Sequence, residues 1–285
     1  MTAKVSSITA FRLTAAWPDL LSSFYQQLGF SVGEPEPIGA DEIALLGLAC
    51  RGIRVPLRLG EQRVDLDSFE AAGRNYPVDA TAADLCFQHC ALVTDDIEAA
   101  WKHVLAIGGR PISADGPVKL PPATGVAAAA KFRDPEGHPL ELLQFPPHRA
   151  GRWVGTGLLG IDHSAISVAD AGASRRFYEA LGLSVHHPTL NQGPTQVALD
   201  GLAGVEVDVV PLLPKRPTPH LELLAYRNPT GRSAGPVEVT DIAATRTIWA
   251  ADRDQLIRDP DGHLHLLREE PNPGRLPSAE ERSIS

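Results

Sequence analysis

The sequence repeats itself. Residues 8–30 (ITAFRLTAAWPDLLSSFYQQLGF) align without a gap on residues 161–183 (IDHSAISVADAGASRRFYEALGL) at an offset of 153, sharing Ile, then Phe-Tyr, then Leu-Gly. A second pair, RDPEGHPLELL from Arg133 and RDPDGHLHLL from Arg258, keeps the same order at an offset of 125. The chain therefore reads as two related halves, the second shorter by 28 residues. Each copy has to build the same supersecondary unit, so local readings must agree at both places.

Each half opens on a strand that passes into a helix. Pro18 suits an early helical position, Leu20, Leu21, Phe24, Tyr25 and Leu28 supply one apolar face, and Gly29 is a stop. Asp170, Phe177, Leu181 and Gly182 play the same parts in the second half. β-prone runs follow at 42–48, 53–59 and 63–69, and again at 196–199, 205–210 and 220–226. The order is β-α-β-β-β. A second such unit starts near Leu85: FQHCALV reads as a strand, Asp95 or Asp96 as a cap, and Ile97, Ala100, Trp101, Val104 and Leu105 as a helix face before Gly108. Strands at 126–132 and 140–145 complete it. In the second half, the strand 243–250 reaches Asp259 after only eight residues, which truncates the fourth unit. The spacing predicts an N-terminal module over 1–147, a linker over 148–159, a shortened C-terminal module over 160–268 and a polar, disordered tail over 269–285.

Composition narrows the function. With 43% apolar and 21% charged residues, the 285-residue chain has the balance of a globular protein. The net charge of −9 and the lack of a basic run argue against a nucleic-acid partner. No apolar stretch approaches a bilayer span, and three cysteines (Cys50, Cys86, Cys90) without a CxxC pair suit a reducing, cytoplasmic setting. Neither a phosphate-binding glycine loop nor a GxSxG elbow is present.

Paired β-α-β-β-β units, with FYxxLG closing the first helix and a DP[ED]GH turn before the last strand, resemble the vicinal oxygen chelate superfamily of glyoxalases, bleomycin-resistance proteins, extradiol dioxygenases and epimerases. The resemblance covers residues 5–268 and implies an α+β fold of two modules. It implies metal ligands from the first and last strand of each unit, which fall here on Ala10, Asp65, His89 and Glu141 in the first module, and on His163, Glu222, Thr245 and His265 in the second. Ala10 cannot ligate and Thr245 is a poor ligand.

Two candidate sites result: His89, Glu141 and Asp65 in module one, and His163, Glu222 and His265 in module two. Glu141 lies in an apolar strand, where an unpaired carboxylate is very costly, so it needs a partner such as a metal shared with His89, an arginine or solvent. Two imidazoles and a carboxylate suit Fe(II), Mn(II), Ni(II) or Zn(II). Module one, with both units complete, ranks first as the active cup. The resemblance implies a divalent-metal enzyme with glyoxalase-like lyase or isomerase chemistry on a small substrate chelated through adjacent oxygens, with Glu141 also moving protons. The alternatives are an extradiol-type dioxygenase and a metal-free binding or antibiotic-resistance protein; any of these can form a homodimer. His138 and His263, in the two turns, read as exposed structural residues, and Tyr25 and Tyr178 as packing.

Overall fold

A computed structural model describes residues 3–233 and 235–270; the predicted tail falls, from residue 271 on, outside the described residues. Unit one comprises β1 (Val5–Thr14), α1 (Pro18–Leu28), β2 (Ser31–Val32), β3 (Glu36–Pro37), α2 (Ala40–Leu45), β4 (Gly52–Leu59) and β5 (Gln62–Phe69). Unit two has β6 (Gln88–Thr94), α3 (Ile97–Ala106), β7 (Arg110–Pro111), β8 (Val118–Lys119), β9 (Ala128–Arg133) and β10 (Pro139–Gln144). Unit three runs through β11 (Leu158–Ser167), α4 (Ala171–Leu181), β12 (Ser184–Val185), β13 (Thr189–Gln192), α5 (Gly193–Asp200), β14 (Glu206–Leu213) and β15 (His220–Asn228). Unit four keeps only β16 (Arg246–Ala251), β17 (Gln255–Arg258) and β18 (Leu264–Glu269), without a helix.

Helix boundaries follow the sequence signals. Pro18 stands in the first turn of α1, and Gly29 takes the left-handed conformation (φ 112°) that ends it. Asp96 and Asp170 accept backbone N–H bonds as N-caps of α3 and α4. Leu21, Phe24, Tyr25 and Leu28 are buried, but Leu20 points outward and is 52% exposed. Two predicted strands are helices: residues 42–48 fall largely in α2, and 196–199 in α5. Short apolar runs do not by themselves separate strand from helix.

The sheets do not follow the two halves. β1 pairs with β16, so units one and four share an eight-stranded sheet in the order β17-β18-β16-β1-β5-β4-β2, with β3 also on β4. β6 pairs with β11, so units two and three share a ten-stranded sheet. In each sheet the two first strands lie antiparallel at the centre, and the last strand of each unit flanks its own first strand in parallel.

The repeated DP[ED]GH turns tie the units together in the other direction. Asp134 Oδ1 gathers the backbone N–H groups of Glu136, Gly137 and His138, and Gly137 supplies the left-handed residue (φ 109°) that the turn requires. His138 is buried rather than exposed: Nδ1 donates to Asp134 Oδ2 (2.7 Å) and Nε2 to the Thr14 carbonyl at the end of β1 (3.0 Å). Burial opposes its charge, yet Asp134 outweighs burial and raises its pKa. Glu136 accepts from the backbone N–H of Ala16 and Trp17 at the start of α1. The second turn repeats this between units three and four: His263, also buried, donates to the Ser167 carbonyl (2.9 Å), and Asp261 accepts from Ala169 N–H. Cys90 within β6 and Cys86 just before it are both buried.

Candidate metal centre in the ten-stranded sheet

Four carboxylate and imidazole side chains meet on one face of the ten-stranded sheet: His89 from β6, Glu141 from β10, His163 from β11 and Glu222 from β15. His89 Nε2 lies 3.0 Å from Glu141 Oε2, and His163 Nε2 lies 3.7 Å from the same oxygen and 3.6 Å from Glu222 Oε2. Register explains the convergence. Glu141 sits beside Ala91, which faces His163 across the central pair, and Glu222 sits beside Ala165, which faces His89. The two alanines leave room between the four longer side chains. The group borders a cavity of about 680 Å³, walled by Leu143, Val209, Pro211 and Leu224 and by Gln196 and Leu199 of α5.

Charge and hydrogen bonding are unevenly distributed. Burial holds the His89 pKa down. Burial also disfavours charge on His163, but Glu222, Asp162 and Glu141 outweigh it and raise its pKa well above the ordinary range. Glu141 and Glu222 shift down because the neighbouring histidines, and for Glu141 also Lys131, overcome their burial. Asp162 Oδ2 accepts from His163 Nδ1 (3.1 Å), which fixes the ring and turns Nε2 toward the two glutamates. His220, opposite His163 on β15, lies 3.4 Å from Glu222 Oε1.

The donor set fits a divalent metal ion. Both ring nitrogens of His89 are buried without a well-aligned hydrogen-bond partner, at 2% residue exposure, which is rare for a polar group in a folded interior. The approach of Nε2 to Glu141 is close in distance but does not make that bond. The ligand atoms of His89, Glu141 and His163 all lie within 4.8 Å of one another. Two imidazoles and two carboxylates match a divalent cation in donor type and in charge.

The other predicted ligands are elsewhere. Asp65 is fully buried in the eight-stranded sheet, where its carboxylate accepts from Arg12 Nε (3.2 Å) and Arg63 Nε (2.6 Å). It belongs to a network in which Arg12 and Arg54 bind Glu42, and Arg54 and Arg246 bind Asp67. His265 is fully buried with both nitrogens engaged: Trp249 Nε1 donates to Nδ1 (3.1 Å), and Nε2 bonds the Tyr178 hydroxyl (2.8 Å). Thr245 immediately precedes β16 and is buried. The grouping by halves is thereby corrected: His89 and Glu141 combine with His163 and Glu222, not with Asp65, and His265 joins neither.

Register also shows why the eight-stranded sheet cannot repeat the metal centre. Ala10 faces Ile248, Arg12 faces Arg246, Asp65 lies beside Arg12, and Leu266 lies beside Ile248. The counterparts of His89, Glu141, His163 and Glu222 are therefore Ala10, Asp65, Arg246 and Leu266. Thr245 and His265 sit one residue away from these positions, and in a strand one residue turns a side chain to the opposite face.

No protein-family model matches the sequence, and no curated protein matches it. Solved structures do. A glyoxalase I mutant from Zea mays is 16% identical and overlaps 93% of this chain and 92% of its own at a TM-score of 0.58. A second mutant of that glyoxalase I, in another crystal form, gives 16% identity, 93% of each chain and 0.56. A putative dioxygenase from Bacillus subtilis is 11% identical, with 94% of this chain and 86% of its own covered at 0.58. Paired β-α-β-β-β units, two sheets and whole-chain overlap together identify this chain as one with the vicinal oxygen chelate fold, two modules on one polypeptide.

Proposed function

We propose that the chain is a divalent-metal-dependent enzyme whose centre is His89, Glu141, His163 and Glu222, acting on a small substrate through two adjacent oxygens. The observation that carries this is the convergence of four donors on one cavity, His89, Glu141 and His163 buried and Glu222 half-buried, with His89 Nδ1 lacking a hydrogen-bond partner and Nε2 facing Glu141 at 3.0 Å. A divalent ion bound there supplies Lewis-acid polarisation of the substrate oxygens. Fe(II), Mn(II), Ni(II) and Zn(II) all suit the donors.

The two carboxylates differ. Glu141 is held between both histidines and is the more enclosed, so its part is ligation. Glu222 is more open to the cavity, with His220 beside it, and is the better placed to take a proton from carbon next to a carbonyl and return it. This moves the proton-transfer role expected of Glu141 to Glu222 and leads to glyoxalase-like isomerase or lyase chemistry.

The test is elemental mass spectrometry on protein purified without a metal-affinity tag. Near-stoichiometric metal in wild type, lost in His89→Ala/Glu141→Ala and in His163→Ala/Glu222→Ala but kept in Asp65→Asn, is the expected result. Absence of metal from the wild type after incubation with each of the four ions overturns the proposal. The element found separates Lewis-acid from redox chemistry.

A further inference from the structure

Lys131 is a charged residue inside the cavity that the metal centre does not use. It lies on β9 directly beside Glu141 on β10, is 3% exposed, and borders the same cavity. Its ammonium has three donors, and among the described residues only one has an acceptor, Asp200 Oδ1 at 2.6 Å. Asp200 is itself held by Gln196 Nε2 (2.7 Å) and the Tyr226 hydroxyl (2.9 Å), which fix its orientation and keep Lys131 pointing where it does. Two ammonium donors are therefore left for an acceptor that enters the cavity.

A second cation borders the same cavity. Arg149 follows β10 in the turn Pro147–Arg149, packs over Gly125, and has no carboxylate partner among the described residues. An anion entering the cavity therefore meets two cationic side chains, Lys131 and Arg149, besides the metal centre. Leu143, Val209 and Leu224 make the remaining wall apolar.

We infer that the substrate is a carboxylate-bearing anion with an apolar tail, its carboxylate oxygen received by the Lys131 ammonium while the adjacent oxygens face the metal centre. This deepens the function proposed above and rests on it for the position of the adjacent oxygens. Lys131 is then a specificity-determining residue, and Asp200 its positioning residue. Arg149 at the rim adds a longer-range attraction.

Isothermal titration with a matched pair tests this: 4-methyl-2-oxopentanoate, which carries the carboxylate, and 5-methyl-2,3-hexanedione, which has the same tail and adjacent oxygens without charge. Metal-loaded wild type is expected to bind the acid at least tenfold more tightly than the dione. Lys131→Met should lower that ratio at least fivefold with metal content unchanged, the remainder being the carboxylate's own attraction to the metal. Because that variant strands a buried Asp200, Lys131→Met/Asp200→Asn is measured beside it and should give the same loss. Equal affinities in the wild type, no binding of either compound, or a preference undiminished in both variants overturns the inference. Metal content, read separately on each sample, distinguishes this failure from failure of the metal centre: a protein that holds metal but ignores the carboxylate refutes only the role of Lys131.

Discussion

Tyr25, on the helix of unit one, donates its hydroxyl to Asp134 in the turn of unit two (3.2 Å), and Tyr178 on the helix of unit three does the same to Asp259 in unit four (2.9 Å). The Tyr of the FYxxLG repeat and the Asp of the DP[ED]GH repeat are thus two ends of one hydrogen bond, made twice. Both hydroxyls are buried, and burial followed by the carboxylate raises both tyrosine pKa values well above the ordinary range. Packing alone, as the helix face suggests, does not describe these residues.

Asp134→Ala should be among the most destabilising single changes. It leaves His138, Tyr25 and three backbone N–H groups without their acceptor in a dry site, a loss of about 3–5 kcal/mol. Glu136→Ala removes only the carboxylate at the exposed start of α1 and should lose about 0.5–2 kcal/mol. Urea denaturation of both variants checks the order; near-equal losses would count against the turn as a lock.

Asp162→Asn should weaken metal binding by about 10- to 100-fold without unfolding the protein, since Asp162 holds Nδ1 of His163 and so directs Nε2. Chelator competition measures it. An unchanged affinity would mean that packing alone orients the ring.

His265 makes stability depend on acidity. Burial lowers its pKa to about 4, against about 6.5 in an unfolded chain. As pH falls below about 6.5 the unfolded state gains this proton and the folded state does not, so stability present at neutral pH is lost as pH falls toward 4, by about 3 kcal/mol in all. His138, with its pKa raised by Asp134 against burial, acts oppositely: its contribution is full below about 6.5 and is lost as pH rises through its folded pKa. Comparing unfolding free energies at pH 7.5 and 4.5 in wild type and His265→Gln isolates the first effect; the variant should show the smaller difference.

Arg246→Met should destabilise by about 3–5 kcal/mol while leaving metal content unchanged. It removes one of the two arginines that hold Asp67, leaving only Arg54 on it, in a fully buried network on the sheet without the metal centre. Loss of metal in this variant would place the centre on the wrong sheet.

Much of this is legible in the sequence. The repeat gives three β-α-β-β-β starts and a truncated fourth unit, and the family resemblance brings His89, Glu141, His163 and Glu222 forward as ligands. What it does not give is which first strands pair, because the contact of β6 with β11 is decided by packing far along the chain. His265 is misplaced because matching it to Glu141 drops a residue after the turn; counted without a gap, Glu141 and Leu266 both stand seven residues beyond the turn aspartate, Thr245 likewise stands one residue before Arg246, and with a period of two a one-residue error exchanges the faces of the strand. Asp162 has no signal from alternation, since a regular strand would put it opposite His163. The register shift between Ile161 and His163 brings its carboxylate to the imidazole, and Gly160 just before it (φ 152°) is the one hint of an irregular strand. Lys131 can be found only by its place beside Glu141.

The pairing of unit one with four and two with three in the sheets, set against the turns that join one to two and three to four, closes the units into a ring. Cutting the chain between residues 147 and 158 would give two pieces that each carry half of the donors: His89 and Glu141 in one, His163 and Glu222 in the other. Neither piece alone could assemble the centre. A chain of half this length, with a single copy of the repeat, would have to recruit a second copy to complete it, so the centre is in essence a subunit interface that covalent continuity has made internal.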